Sequence, residues 1–437
     1  MEKYLKIIEQ VLMPPLTKLS EQKHLRAVRD GIISVLPMII TGSIFLLLGQ
    51  LPVDFIKEPD YSGWIVDKVK FYQDHVSPGL LIPYRLSMGF MALYASFAIA
   101  FSLSQTYQMD SLATGILSAA SFLLTILPQK VLLPIGEKPE WVIPIDKLGG
   151  KGLFVAIFCA FITVELTRFI MSKKLFFSMP EGVPPAVTRA FTSLVPGIAV
   201  LTLIWTLSMI VDVHVLISWI LKPLVRTGDG LIAIILINLL IQLIWVTGIH
   251  GTSVVNAVAL PFWLTYLEDN SAAHAAGAVL PHITSLPFYQ WFVWIGGSGA
   301  TLTLVIMMFF SKSSQLRSLS RIAILPSLFN INEPIIFGLP VVMNPVIAVP
   351  FVISPVVSGT ISFIAIKTGL VQAPYILAPW TLPVFLGALF STGFDWRAVI
   401  LVIINMLIVG LIYYPFFKIM ENKALANEKA GEEKISE

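Results

Sequence analysis

The sequence predicts an all-α polytopic membrane protein of about ten transmembrane helices, with two re-entrant hairpins and amphipathic helices at the interface. First, 56% of the 437 residues are hydrophobic and only 13% charged, with a mean hydropathy of +0.83, where soluble domains carry about 25% charged residues. Second, uncharged apolar runs long enough to cross a bilayer recur along the chain. Third, the few ionisable groups inside the later runs stand beside glycine or proline. A net charge of +3 suggests no nucleic-acid partner, and a single cysteine, Cys159, excludes an internal disulfide.

Residues 1–30 mix six Lys and Arg with four acids and repeat apolar residues at helical spacing through Tyr4, Leu5, Ile7, Ile8, Val11 and Leu12. They read as a cytoplasmic amphipathic segment lying on the membrane. No compact apolar leader with a small-residue cleavage site precedes the first span, which is expected to serve as the insertion signal. Spans are expected over Gly31 to Gly49, Leu86 to Met109, Ser111 to Gln129, Gly152 to Met171 and Ala190 to Val211. Residues 54–85, scattered with Asp and Lys, read as an external loop, and the proline- and glycine-punctuated residues 130–151 as a small extramembrane hairpin. Glu165 and Arg168 share one helical face and are expected to form a structural pair. Lys173 and Lys174 mark a cytoplasmic boundary, and residues 180–185 form a proline-rich connection. Residues 31–211 thus make an N-terminal transmembrane domain.

Residues 212–229 read as an interfacial linker, and 230–420 as the second transmembrane domain. A span from Gly230 to Ile249 ends at His250; the short run Gly251 to Leu267 is expected to turn back as a re-entrant hairpin. Polar residues 268–282 precede a span from Ile283 to Phe310, then a basic loop with Lys312, Arg317 and Arg321. A second hairpin is expected around Glu333, followed by apolar runs Val341 to Ile366, Gly369 to Phe394 and Ala398 to Phe417. The tail 421–437, charged and without aromatics, is expected to be cytoplasmic and disordered.

Two stretches concentrate the chemistry. Between Arg321 and Lys367 the only full charge is Glu333, within Phe329-Asn330-Ile331-Asn332-Glu333-Pro334. Between Asp229 and Glu268 the only group titrating below tyrosine is His250, flanked by Gly248 and Gly251. An ionisable group at membrane depth costs about 2.5 kcal/mol or more and usually lines a solvated path or a ligand site. Irregular backbone there is tolerated only where protein or a cavity surrounds it. The bland alternatives are a hydrogen-bonded core imidazole and a structural acid.

No phosphate-binding glycine loop, nucleophile elbow or metal-ligand spacing accompanies these groups, and no cofactor or metal is expected. The available groups suit a sugar: His250, Asn256, Asn330, Asn332 and Glu333 for hydroxyls, and Trp245, Phe329 and Trp380 for the C–H faces of a pyranose. His250 and Glu333 can also polarise a hydroxyl. A proton-coupled secondary transporter of an unmodified solute uses the same two groups; a passive channel has no need of both.

Thr247-Gly248-Ile249-His250-Gly251, followed by Asn330-Ile331-Asn332-Glu333-Pro334-Ile335-Ile336-Phe337-Gly338, resembles the membrane-spanning IIC component of the phosphoenolpyruvate-dependent sugar phosphotransferase system. The lactose, cellobiose and chitobiose class is the nearest in pattern, and the similarity runs from the stretch ending Arg29-Asp30-Gly31 to the last span. The resemblance implies a homodimer in the bacterial cytoplasmic membrane, with cytoplasmic termini. It also implies dimerisation through the N-terminal half and sugar binding in the C-terminal half, near His250 and Glu333. A separate IIB protein would phosphorylate the sugar's 6-hydroxyl from a phosphocysteine, itself supplied by IIA. Cys159, inside a span, does not match that role.

Overall fold

The computed structural model describes residues 18, 21–55, 63–131, 140–175, 191–339 and 345–436. The amphipathic stretch expected at Tyr4 to Leu12 and the connection at 180–185 lie outside the described residues. Nearly all regular structure is helical, as the composition predicts. Five helices among the described residues are long and apolar enough to cross a membrane: Lys23–Gln50, Val66–Thr106, Gly150–Ser172, Val346–Lys367 and Trp396–Ala430. The pair Leu194–Ile210 and Val213–Val225, bent by 76°, makes a sixth if it is one span, and Ser111–Leu124 and Leu231–Val246 are shorter apolar helices. The hydropathy count of about ten therefore exceeds the number of long helices, because several apolar runs are broken.

The chain divides into two compact units, one of Glu21–Val225 with Ala257–Asp269, the other of Arg226–Asn256 with Asn270–Glu437. The sequence boundaries differ from this: residues 257–269 group with the N-terminal unit rather than with 230–420, and the division at Val225 and Arg226 falls inside 212–229.

The N-terminal unit packs around the helix Met91–Thr106, which contacts Lys23–Phe55, Ser111–Leu124 and Leu153–Ser172. Of its buried positions Met91, Ala92, Ala95, Ser96, Ile99, Ala100, Leu103 and Ser104, five are Ala or Ser. Small residues let helices approach where the surroundings are as apolar as the core. Hydroxyls supply polar cross-links, Ser96 Oγ to Ser118 Oγ at 2.8 Å and Ser121 Oγ to Thr163 Oγ1 at 3.2 Å. The expected external loop at 54–85 is largely helical instead. Gly63–Phe71, a π turn at Tyr72–Val76 and Ser77–Ser87 lead almost without interruption into Met91–Thr106. Asp67, Lys68, Lys70 and Asp74 are exposed on this arm, so polar composition reported its solvation and not its backbone. In the region read as a hairpin, Gln129–Val131 pairs antiparallel with Glu140–Val142. The helix Val213–Gly228 occupies the region read as an interfacial linker.

Glu165 pairs with Arg168 at 3.2 Å, as its helical spacing predicts, and also with His24 Nε2 at 3.0 Å. Both partners are partly exposed, which limits each contact to less than about 1 kcal/mol. Glu165→Gln is expected to lower the thermal unfolding temperature by a few degrees at most, with sugar binding unchanged. Lost transport at unchanged stability would overturn this structural role.

In the second half of the chain three expectations give way. Gly251 to Leu267 is no re-entrant hairpin: one helix runs Gly251–Ala275 through Pro261 and into the polar residues. The expected span Ile283 to Phe310 is broken into a turn at Leu286–Phe288, a π turn at Tyr289–Val293, irregular backbone, and the helix Leu302–Phe309. Gly296, Gly297, Gly299 and Ala300 all have positive φ in the break. Gly369 to Phe394 is likewise helical only over Val384–Ser391. The tail is a further correction, since the helix Trp396–Ser436 continues through it.

Candidate functional site

The site begins where the helix Leu231–Val246 ends. Thr247 and a left-handed Gly248 (φ 89°) turn the chain, and His250 then caps the helix Gly251–Ala275. A Cβ at Gly251 would overlap the Ile241 carbonyl oxygen, so glycine is what lets the new helix start against the old one. His250 Nδ1 accepts the Ser253 backbone N–H at 3.1 Å and lies 2.9 Å from the Ser253 hydroxyl. Because Nδ1 accepts, the neutral imidazole carries its proton on Nε2. Trp245 packs on the imidazole with ring centroids 4.3 Å apart, and its indole N–H donates to Thr252 Oγ1 at 3.3 Å.

The second wall is the Asn-Glu-Pro turn between the helices Ser314–Leu328 and Glu333–Gly338. Pro334 suits the first turn of a helix, where its missing N–H has no intrahelical partner. Glu333 opens that helix with a partly exposed side chain, and no ion pair involves it among the described residues. Asn330 adopts φ 61°, accepts the Gly296 N–H on Oδ1 at 2.9 Å and donates to the Gln290 carbonyl at 3.5 Å. Asn332, almost fully buried, donates to the Ser298 carbonyl. These amides, expected to bond sugar hydroxyls, therefore tie the turn to the broken segment, whose irregular backbone would otherwise leave polar groups unmatched. The segment is fixed in turn by Thr252 Oγ1 to Ser298 Oγ at 2.9 Å and by Trp294, whose indole N–H reaches Asn238 Oδ1 at 3.0 Å.

These elements line an open cleft of about 710 Å³ when the solvent at its mouth is included. Its lining contains seven of the eight residues singled out in the sequence: Trp245, His250, Asn256, Asn330, Asn332, Glu333 and Trp380, the last half exposed at the rim. Phe329 is not in the lining. Thr252, Leu286, Gln290, Trp294, Gly297 and Ser298 line it too and escaped the sequence reading. Five of these six belong to or adjoin the segment taken for a plain span; the cluster Gly296-Gly297-Ser298-Gly299 was the signal available. Two lining residues carry buried acceptors with no partner among the described residues, Asn256 Oδ1 and Gln290 Oε1. Buried acceptors are normally satisfied, and leaving one without a donor costs about 1–3 kcal/mol. The arrangement thus offers one carboxylate, one imidazole, two waiting acceptors and three indoles to a polyhydroxylated ligand.

Comparison with known proteins places this geometry in a family. The family model described as phosphotransferase system, EIIC matches residues 29–355. The PTS system cellobiose-specific EIIC component of Geobacillus stearothermophilus is 40% identical over 445 residues, covering 98% of this chain and 97% of that one. The lichenan permease IIC component of Bacillus subtilis (strain 168) is 38% identical, covering 98% and 96%. The PTS system lactose-specific EIICB component of Staphylococcus aureus (strain N315) is 30% identical, covering 97% of this chain but 73% of the longer relative. Among solved structures, the transporter ChbC, the IIC component from the N,N'-diacetylchitobiose-specific phosphotransferase system, superposes with a TM-score of 0.89 at 36% identity. That match covers 97% of this chain and 99% of the other. With three quarters of its length inside the family model and relatives aligned nearly end to end, the chain belongs to the EIIC family of the phosphotransferase system.

Proposed function

We propose that this chain is the sugar-translocating subunit of a disaccharide permease, taking a β-linked disaccharide such as N,N'-diacetylchitobiose or cellobiose. It presents the 6-hydroxyl for phosphorylation by the phosphocysteine of a separate IIB protein. The observation that carries this reading is the pair of partnerless buried acceptors, Asn256 Oδ1 and Gln290 Oε1, in one cleft with His250 and Glu333. Hydroxyl or amide hydrogens of a sugar satisfy them, and Trp245 and Trp380 supply flat faces for its C–H surface. In the transfer step the 6-oxygen attacks phosphorus, the S–P bond breaks and the cysteine departs as thiolate. The hydroxyl proton passes to Glu333 within hydrogen-bond reach, while His250, its Nδ1 engaged by Ser253, donates a hydrogen bond to the sugar through Nε2–H. The product carries a phosphate charge that repels Glu333 and fits the apolar walls poorly, which favours release without an ion gradient.

On the same reading the chain is active in phosphoryl transfer only with its phosphocarriers IIB and IIA. It forms a homodimer through its N-terminal domain, keeps both termini in the cytoplasm and uses no metal or cofactor. The test is uptake of labelled N,N'-diacetylchitobiose into vesicles containing the protein, with and without phosphoenolpyruvate and the soluble phosphocarriers. Sugar phosphate forming only with the full relay supports the reading. Free sugar accumulating on a proton gradient without the relay overturns it in favour of a proton-coupled transporter.

A further inference from the structure

The charged tail after Phe417 does structural work that its composition conceals. Glu421, buried although charged, accepts the Ser311 hydroxyl at 2.7 Å and the Lys312 backbone N–H at 2.8 Å on one oxygen. Its other oxygen takes Lys418 Nζ at 2.6 Å. Two turns further on, Glu428 accepts the Ser313 hydroxyl at 2.8 Å and the Gln315 N–H at 2.9 Å. Ser313 is the N-cap of the helix Ser314–Leu328, so both carboxylates sit where the helix dipole favours negative charge. Glu421 is buried, while Glu428 is partly exposed and held to the turn by its hydrogen bonds. Outward, the side chains of Lys312, Arg317, Arg321, Lys423 and Lys429 are exposed, all cationic, and among the described residues no ion pair neutralises them. Five exposed cations beside one partly exposed acid leave an excess of positive charge, whose field concentrates an oppositely charged partner.

Its place in the chain says what that partner is for. The helix Ser314–Leu328 carries this surface at its foot and delivers Phe329 to Glu333 of the sugar cleft at its other end. Fifteen residues span about 22 Å, while a domain of roughly 100 residues has a radius of gyration of about 13 Å. A small protein docked at the foot can therefore extend an edge toward the cleft. We propose that the turn Ser311 to Gln315, the outer face of Ser314–Leu328 and the tail helix form the docking surface for the phosphorylated IIB protein. This rests on the IIB-dependent reaction proposed above and on this end of the unit facing the cytoplasm. A phosphorylated side chain brings about two negative charges, complementary to the five exposed cations. Glu421 and Glu428 hold the turn in place.

The test varies phospho-IIB at saturating sugar and measures sugar phosphate formation by the reconstituted protein and by Arg317→Glu/Arg321→Glu/Lys423→Glu. The expected result is a KM for phospho-IIB raised about tenfold or more at low salt, since charge reversal at an interface acts on encounter and specificity. The rate at saturating phospho-IIB and the sugar affinity measured without IIB stay within about twofold, and added salt narrows the difference between variant and wild type. Arg317→Ala/Arg321→Ala/Lys423→Ala gives a smaller shift in the same direction and decides the matter if the reversal variant does not fold. An unchanged KM while sugar phosphate still forms overturns the surface. A rate that falls only in vesicles of anionic lipid, at unchanged KM, assigns the cations to lipid headgroups and also overturns it. Sugar phosphate absent even from the wild-type reaction is the distinguishable failure of the IIB-dependent reading itself, and it removes the partner this surface serves.

Discussion

Glu333→Gln and His250→Asn are each expected to lower the rate of sugar phosphate formation by about 100-fold or more, while the protein remains folded. General-base assistance contributes about 10²–10⁴-fold, and in the proposed reaction Glu333 receives the proton of the attacking hydroxyl while the His250 Nε2–H orients the sugar. The substitutions are chosen to separate chemistry from folding. Gln keeps the shape of Glu333 and removes a charge that no ion pair among the described residues compensates, so stability should hold or rise. Asn replaces the Nδ1 acceptor that caps the helix Gly251–Ala275 with another strong N-cap. His250→Ala confounds the two by losing a cap worth about 0.5–2 kcal/mol. Phosphorylation at the wild-type rate by a purified variant removes that residue from the reacting centre.

Gly297→Ala should abolish sugar binding by distorting the cleft rather than by deleting a contact. Gly297 has φ 95°, and a Cβ there would lie 2.5 Å from Asn332 Cγ. The backbone conformation alone costs a non-glycine residue about 1–3 kcal/mol, and overpacking against the buried amide adds a similar amount. The Asn332 donation to the Ser298 carbonyl is the contact that has to give. Sugar affinity and thermal unfolding should fall together. Wild-type affinity at wild-type stability would mean that the broken segment tolerates rearrangement and does not set the cleft.

Tying Asn330 and Asn332 to Gly296, Gln290 and Ser298 recasts the Asn-Glu-Pro motif. Its two amides chiefly orient the loop that presents Glu333. Residue type alone could not separate that role from sugar binding, because the same amide serves either and its partner lies some 34 residues away in the chain. The candidate site was nonetheless half legible. His250 and Glu333 stood out because isolated ionisable groups in apolar runs are rare. Thr252, Gln290 and Ser298 did not, since hydroxyls and amides are common and their burial depends on what packs over them.

The same division holds for the fold. Composition and hydropathy by themselves determined a helical membrane protein, because low charge and long apolar runs leave the backbone no other way to satisfy its hydrogen bonds in lipid. They also located the chemistry in two stretches. Hydropathy reports burial without distinguishing bilayer from protein, so it merged the broken segment Leu286 to Thr301 into a span. It read the solvated helix Gly63–Phe71 as loop and the clamped tail as disorder for the same reason. Only tertiary structure decided that Gly251–Ala275 runs on as one helix, that seven distant residues share one cleft, and that Glu421 and Glu428 fold back onto the turn Ser311 to Gln315. Those outcomes depend on partners far apart in the chain, and no local pattern of residues specifies them.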